Sequence, residues 1–371
     1  MITFAFFLLF LLIFTVFAVY AERKISAFIQ DRMGPMEVGY YGLGQTVADL
    51  LKLLQKEDIV PAAADRKIFL VAPLIIFTAV FAGFAVLPLT SSIAGSAAEV
   101  GVFYLLAIIS LDVIGILMAG WGSNSKFSLF GAMRSVAQII SYEIPLGITV
   151  LCAVMIAQSL DLQEVSFQQG IWINYPAAQA GGSATEANYL FGLKALNIDV
   201  TNIGGIFTWN IFRMPLFFLV YLIFFIASLA ECNRAPFDLP EAESEIIGGF
   251  HTEYSGFRWA FVMLAEYGMM LLVSFLGVIL FLGSWNTPLP NIGGLELATW
   301  TSGTPGTVAG NLWSAFWLIS KALLIIFVQM WVRWTYPRLR VDQLMTLGWK
   351  YLTPAALVLL MLTGIWRLLM I

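Results

Sequence analysis

The sequence predicts an all-α integral membrane protein with about eight transmembrane helices, plus amphipathic interfacial helices on the cytoplasmic side. Three observations predict it. Of the 371 residues, 60% are hydrophobic and only 11% are charged, against about 25% charged in a soluble domain. So few charges do not cover a water-facing surface. The apolar residues also fall in runs of the ~20 that a helix needs to cross the hydrocarbon. Those runs are continuous, without the alternation of a transmembrane barrel strand.

The first span, 1–20, carries no charge. Val19-Tyr20-Ala21 has the look of a signal-peptidase site, but no positive segment precedes it and the charges follow it, so it reads as an uncleaved span. Segment 21–67 comes next. Met33-Gly34-Pro35 and Gly39 break any continuing helix. Leu43, Val47, Leu50, Leu51 and Leu54 then recur at helical spacing, with Asp49, Lys52 and Lys56 on another face. This predicts a helix lying at the membrane surface. Simple anchoring is the plain reading. The sharper one is a polar passage lined by Arg23, Arg32, Asp49 and Lys52. Further spans are expected at 68–89, 100–121, 139–160, 213–230, 259–282, 311–332 and 351–370, all within one membrane domain covering 1–371. Loops 161–212 and 283–310 are rich in Gly, Asn, Thr and Ala and read as irregular surface segments. No repeat of the inverted-repeat transporter kind is visible.

Lysine and arginine set the orientation. Seven lie in 21–67, two in 122–138, two in 231–258 and four in 333–350, whereas 90–99 and 283–310 have none. The charged segments are therefore expected in the cytoplasm, with both termini and loops 161–212 and 283–310 extracytoplasmic.

The net charge of −4 argues against a nucleic-acid partner. Cys152 and Cys232 are too few to ligate an iron–sulfur cluster. The single histidine, His251, excludes a bis-histidine haem. No phosphate loop, nucleophile elbow or zinc signature is present. No metal site is expected, and any redox cofactor is either diffusible or held by a partner.

Three constellations carry chemistry. Loop 231–258 holds Glu231, Asp238, Glu241, Glu243, Glu245 and Glu253 against Arg234 and Arg258. A solvated acidic loop is the bland reading. Against it, the acids alternate with Pro236, Phe237, Leu239, Pro240, Ile246, Ile247 and Phe250, which favour burial, and Glu241 and Glu245 share a face if helical. Crowded, buried carboxylates raise one another's pKa and exchange protons near neutral pH. Next are ionisable residues within spans: Glu143, Glu266, Asp112 and Lys321. Such residues are costly in lipid and usually face a bundle interior or an ion path; a paired group that only fixes packing is the alternative, strongest for isolated Asp112. The last is Arg333, Arg338 and Arg340 in WVRWTYPRLRVDQLM, either positive-inside anchors with phospholipid contact or a site for a partner or for an anionic or carbonyl-bearing headgroup.

Those segments resemble the H-subunit family of respiratory complex I, the proton-pumping NADH:quinone oxidoreductase, whose mitochondrial counterpart is the first ND subunit. The resemblance covers nearly the whole chain and is carried by ERKISAFIQDRMGP, ADLLKLLQKED, GWGSNSKFSLFGAMRSVAQIISYE, AECNRAPFDLPEAESEIIGGFHTEYSG and VRWTYPRLRVDQLM. It implies a subunit of an H+-translocating enzyme, with no complete active site in this chain. Quinone, either ubiquinone or menaquinone, is the implied substrate. NADH, FMN and iron–sulfur clusters are implied on partner subunits only. The implied partners are hydrophilic-arm subunits carrying the terminal cluster, antiporter-like and small membrane subunits, and the lipid bilayer of a bacterial cell (inner) membrane. By motif position, Glu22, Arg23, Arg32, Asp49, Lys52, Glu231, Arg234, Arg338 and Arg340 would belong to the quinone chamber. Glu143, Asp238, Glu241, Glu243, Glu245, Glu253 and Glu266 would belong to the proton path or coupling chain. Loop 161–212 is longer than the family pattern, and Asp112 matches no family motif. The rival readings are a membrane-bound hydrogenase or ferredoxin-linked subunit, separable by its partners, and a proton-coupled secondary transporter, which would work alone in liposomes.

Overall fold

The computed structural model of the chain describes residues 2–96, 98–176, 187–194, 198–239, 247–292 and 295–370. Among them every regular element is a helix, and β pairing is limited to isolated bridges such as Pro88 with Ala94. The all-α membrane architecture expected from the apolar runs is what the chain adopts.

Helix α1 (Ile2–Ile29) does not stop at the last residue of the apolar run. It continues through AERKISAFI, so Glu22 and Arg23 stand on the helix itself. A turn at 40–42 then reverses the chain. Gly42 has φ +79°, and a Cβ there would lie 2.2 Å from the Pro35 carbonyl oxygen, so only glycine fits. Helix α2 (Gln45–Gln55) follows. Its Val47, Leu50, Leu51 and Leu54 are exposed, as an interfacial helix requires.

Helix α3 (Arg66–Gly83) is N-capped by Asp65, whose carboxylate accepts from the Lys67 N–H at 3.2 Å. Helices α4 (Gly101–Ile109) and α5 (Leu111–Gly122) form one apolar stretch broken at Ser110. At Gly120 an added Cβ would lie 2.2 Å from the Ala132 Cβ, so α5 packs closely on α6 (Lys126–Ala157), the small-residue contact that membrane helices favour. Helix α6 has 32 residues, about 48 Å, and outruns the ~30 Å hydrocarbon layer. Short helices α7 (Leu162–Phe167) and α8 (Asn210–Arg213) precede α9 (Phe217–Glu231).

Helix α10 (Gly256–Phe281) is the centre of the bundle. Its apolar stretch is 89% buried inside the protein, against 28% for α1. Phe281 packs against the rings of Phe217, Tyr221 and Phe224 at 5.2–5.5 Å. Helix α11 (Leu297–Ser302) leads to α12 (Val308–Thr335), whose N-cap Thr307 accepts from the Gly310 N–H. Helix α13 (Val341–Thr346) passes through a π-helical turn, Leu347–Leu352, into α14 (Thr353–Met370). Among the described residues seven stretches are long and apolar enough to cross a membrane, α4 with α5 and α13 with α14 each counting once; α9 is a shorter apolar helix.

Lys321, mid-way along α12, is explained by packing. Its Nζ donates to the carbonyls of Leu282, Ser284 and Asn286 at 2.8, 2.9 and 2.6 Å and lies 4.2 Å from the Trp209 ring centre. It ties α12 to the segment that leaves α10.

Candidate functional site

The last turns of α1 begin the site. Glu22 is buried at 6% exposure, and three elements converge on it. Arg234 Nη1 donates to both carboxylate oxygens at 3.4 Å. Arg333, from the end of α12, donates to Oε1. The Tyr267 hydroxyl, from α10, donates to Oε2 at 2.6 Å. The Arg234 guanidinium also stacks 4.4 Å from the Tyr267 ring centre. A lone buried carboxylate is unfavourable, but one shared between two guanidiniums and a phenol is compensated. Among the described residues two guanidiniums share this one carboxylate.

A second group lies beside it. Glu231, the last residue of α9, and Asp112 of α5 are buried at 3% and 8% exposure. With Glu266 of α10 they border one cavity of about 10 Å³, roofed by Phe250. That holds about one water molecule and no organic substrate. One oxygen each of Glu231 and Asp112 has no hydrogen-bond partner among the described residues, so these carboxylates face the cavity. Asn233 is fixed behind them by Gln138 and Ser135 at 3.2 and 3.3 Å, and Gln138 also holds the Ala230 carbonyl at 2.8 Å. The two groups are joined through the chain. Glu231 and Arg234 share one turn, and Glu266 and Tyr267 are consecutive on α10. Glu143 of α6 is half-buried and accepts from the Ser110 hydroxyl; Ser110 stands two residues from Asp112.

The remaining candidates surround these groups. Arg23 and Asp49 pair at 2.6 Å across α1 and α2, with Gln45 also on Asp49 at 3.1 Å. This pair is exposed. Lys52 is exposed one turn further along α2. Arg32 turns back on its own helix end, donating to Gln30 at 2.7 Å, and does not join the buried cluster. Arg338 pairs with buried Asp238 at 2.8 Å, and the Leu339 N–H donates to the Pro236 carbonyl at 3.1 Å. The arginine segment after α12 is thereby stitched to the segment after α9. Arg340 is exposed at the start of α13, its backbone N–H on Gln343. Glu253 is half-buried in the turn before α10. Glu241, Glu243 and Glu245 lie outside the described residues. Nearby, the Tyr254 hydroxyl donates to the Phe69 carbonyl at 3.1 Å with the two rings stacked 4.2 Å apart, and burial pushes its pKa up.

Three participants escape sequence reasoning. Arg333 reads as a positive-inside anchor, and its partner is 311 positions away. Tyr267 looks like an ordinary apolar-span tyrosine; its place beside Glu266 in MLAEYGM is the one signal. Asp112 looks isolated in sequence, yet it shares a cavity with Glu231 and Glu266.

Among the described residues no three His, Cys, Asp or Glu side chains are grouped to hold a metal ion, and both cysteines are buried singly. The donor set does not fit an iron–sulfur cluster. The arrangement instead holds one buried carboxylate against two guanidiniums and groups Asp112, Glu231 and Glu266 around a small cavity.

Comparison with known proteins is consistent across the chain. Residues 2–364 match a family described as NADH dehydrogenase. The chain is 61% identical over 348 residues to an NADH-quinone oxidoreductase H subunit of Cytophaga hutchinsonii, the one numbered 2, covering 94% of this chain and 93% of the relative. It is 53% identical over 347 residues to the corresponding H subunit of Chlorobaculum parvum, covering 94% and 86%. With the H subunit of a Geobacillus strain it shares 42% identity over 346 residues, covering 93% and 87%.

Proposed function

This chain belongs to the NADH dehydrogenase family, that of the H subunits of NADH-quinone oxidoreductase, and from that premise we propose that it walls the quinone chamber of the complex and carries its coupling carboxylates. It is a multi-pass membrane subunit of an oxidoreductase rather than an enzyme by itself. The reading places it in a bacterial inner membrane with both termini outside. Partner subunits of the hydrophilic arm supply the NADH site, FMN and iron–sulfur clusters, and antiporter-like and small subunits flank it in the membrane.

One observation carries the reading. A buried carboxylate under two guanidiniums, Glu22 with Arg234 and Arg333, adjoins a carboxylate-lined cavity of Asp112, Glu231 and Glu266. Reducing a quinone to a quinol takes two electrons and two protons. Protons drawn from groups near the headgroup leave negative charge behind, and Arg234 and Arg333 are placed to take it up. Shifting those guanidiniums alters the field at Glu22 and, one turn away, at Glu231. In a site of low polarity a charge change of this kind moves neighbouring protons strongly. Glu231, Asp112 and Glu266 then exchange protons through the space between them, and Ser110 connects the group to Glu143. Asp238, Glu241, Glu243, Glu245 and Glu253 form the loop that responds. Arg338 holds Asp238 in one arrangement, with Arg340 beside it at the subunit surface. Arg23, Arg32, Asp49 and Lys52 form the mouth by which ubiquinone or menaquinone enters.

The test uses a tagged copy of this chain in its native membranes. The expected result is co-purification of flavin and iron–sulfur subunits with inhibitor-sensitive NADH:quinone reduction and pumping. In that complex Glu231→Gln is expected to slow coupled turnover by ~10²-fold, the scale of a positioned proton-transfer group. Unchanged reduction and unchanged pumping would remove Glu231 from the path, and a chain that purifies alone would overturn the whole reading.

A further inference from the structure

At the end of the bundle away from Glu22 lies a second polar cavity, of about 880 Å³, where α6, α8 and α14 terminate. Its walls include Gln158, Glu164, Asn188, Lys194, Arg213 and Arg367. Among these described residues three cations face one carboxylate. Arg213 is engaged, its Nη2 donating to the Gln168 carbonyl and the Asn188 side-chain oxygen at 2.5 Å each. The Glu164 carboxylate accepts from the Ser159 hydroxyl at 2.5 Å. Arg367 is different. Its Nε is shut off from solvent and has no hydrogen-bond partner among the described residues. It is held at this spot by its neighbour Trp366, whose indole N–H donates to the Arg213 carbonyl at 3.0 Å. A guanidinium donor buried without an acceptor is unfavourable, and supplying an anion removes the penalty.

The cavity's surroundings say which anion. Phe212 and Leu216, close in the chain to Arg213, and Ile365, Leu368 and Leu369, close to Arg367, are exposed apolar side chains. A phosphodiester with acyl chains satisfies both halves: its charge meets Arg367 and Lys194, and its chains lie along these apolar side chains. A free phosphate uses only the first half. We propose that this cavity binds the phosphate of an anionic phospholipid at the bundle end opposite the Glu22 site. No residue is shared between the two.

The complex, purified in mild detergent and stripped of lipid, is titrated with phosphatidylglycerol and, separately, phosphatidylcholine, with bound lipid counted by mass spectrometry. Phosphatidylglycerol is expected to bind in preference. Arg367→Gln and Lys194→Gln should each weaken it about fivefold, the size of one charge contact with an anionic headgroup. Arg367→Lys, which keeps the charge, should recover most of the loss, and quinone reduction should be unchanged in all three. Equal retention of phosphatidylglycerol in the Arg367→Gln/Lys194→Gln double variant overturns the proposal. So does protection by inorganic phosphate with no lipid preference, which would make the ligand a free anion. Cross-linking of Arg367 to an acidic side chain of a neighbouring subunit also overturns it.

Discussion

Glu22 distributes its two oxygens over Arg234, Arg333 and Tyr267, so each contact can be removed alone. Tyr267→Phe deletes one hydrogen bond to a charged group and is expected to cost about 1.5–3 kcal/mol, read as a lower thermal-inactivation temperature of the assembled complex. Arg234→Met also removes the charge above a buried carboxylate. It is expected to cost about 3–5 kcal/mol and to raise the quinone KM more than Tyr267→Phe does. If both variants match wild type in stability and KM, the cluster is ornamental. At this scale the sequence was half legible. Glu22, Arg234, Glu231 and Glu266 stand out because charges are rare in apolar context. Arg333 and Tyr267 do not, because their significance comes from partners that only folding brings near. Asp112 shows the same limit. Alone in a span it reads as a packing residue, and only the approach of α5 to the end of α9 gives it company.

Elements transmit what residues begin, and two of them offer clean tests. Helix α6 crosses the 249–251 turn at Gly131, where an added Cβ would lie 2.7 Å from the Gly249 Cα and 2.8 Å from the Phe250 nitrogen. Gly131→Ala must push that turn away, and Phe250 roofs the carboxylate cavity. The expected cost is about 1–3 kcal/mol, together with weakened pumping at preserved quinone reduction; equal loss of both would place the turn outside the coupling chain. Helix α7 has its own pH dependence. Burial raises the pKa of its N-cap Asp161, and Glu164 and Glu99 add to this, while the Gln163 N–H opposes it. A raised folded pKa means stability present below the ordinary aspartate pKa and lost as pH rises through the folded value. Amide protection of α7 should fall over that window, after correction for intrinsic exchange, and Asp161→Asn, still a good cap, should flatten the dependence. The amphipathic character of α2 was readable from its leucine spacing. The carry-through of α1 to Ile29 was not, because charged residues in AERK look like a loop until Arg23 finds Asp49 and Glu22 its arginines.

Across the whole molecule burial is uneven: α10 is enclosed on all sides, whereas α1 and α14 present most of their apolar surface outward. Amide exchange in the isolated subunit in detergent should therefore be slowest in α10 and fastest in α14, with α1 gaining protection on assembly; uniform rates would contradict a single central helix. The helical class and its rough number of crossings were legible because lipid forces backbone groups to pair within each segment. The short helices α7 and α8, within a stretch that reads as irregular, were not, since no such constraint acts outside the lipid. The two ends of the bundle are also held by chemically different fasteners. Near the Glu22 end the Arg23–Asp49 bridge is open to water, with side chains 45% and 34% exposed, and dissolved ions screen it over ~10 Å at 0.1 M. At the other end the Lys321 ammonium spends all three N–H groups on backbone carbonyls and lies over an indole. Its partners are neutral carbonyls and a ring rather than an opposite charge, so dissolved ions find no exposed ion pair there to screen. Raising ionic strength should therefore loosen α2 from α1 while the closure made by Lys321 stays fixed, so that salt acts on one end of this subunit and leaves the other untouched.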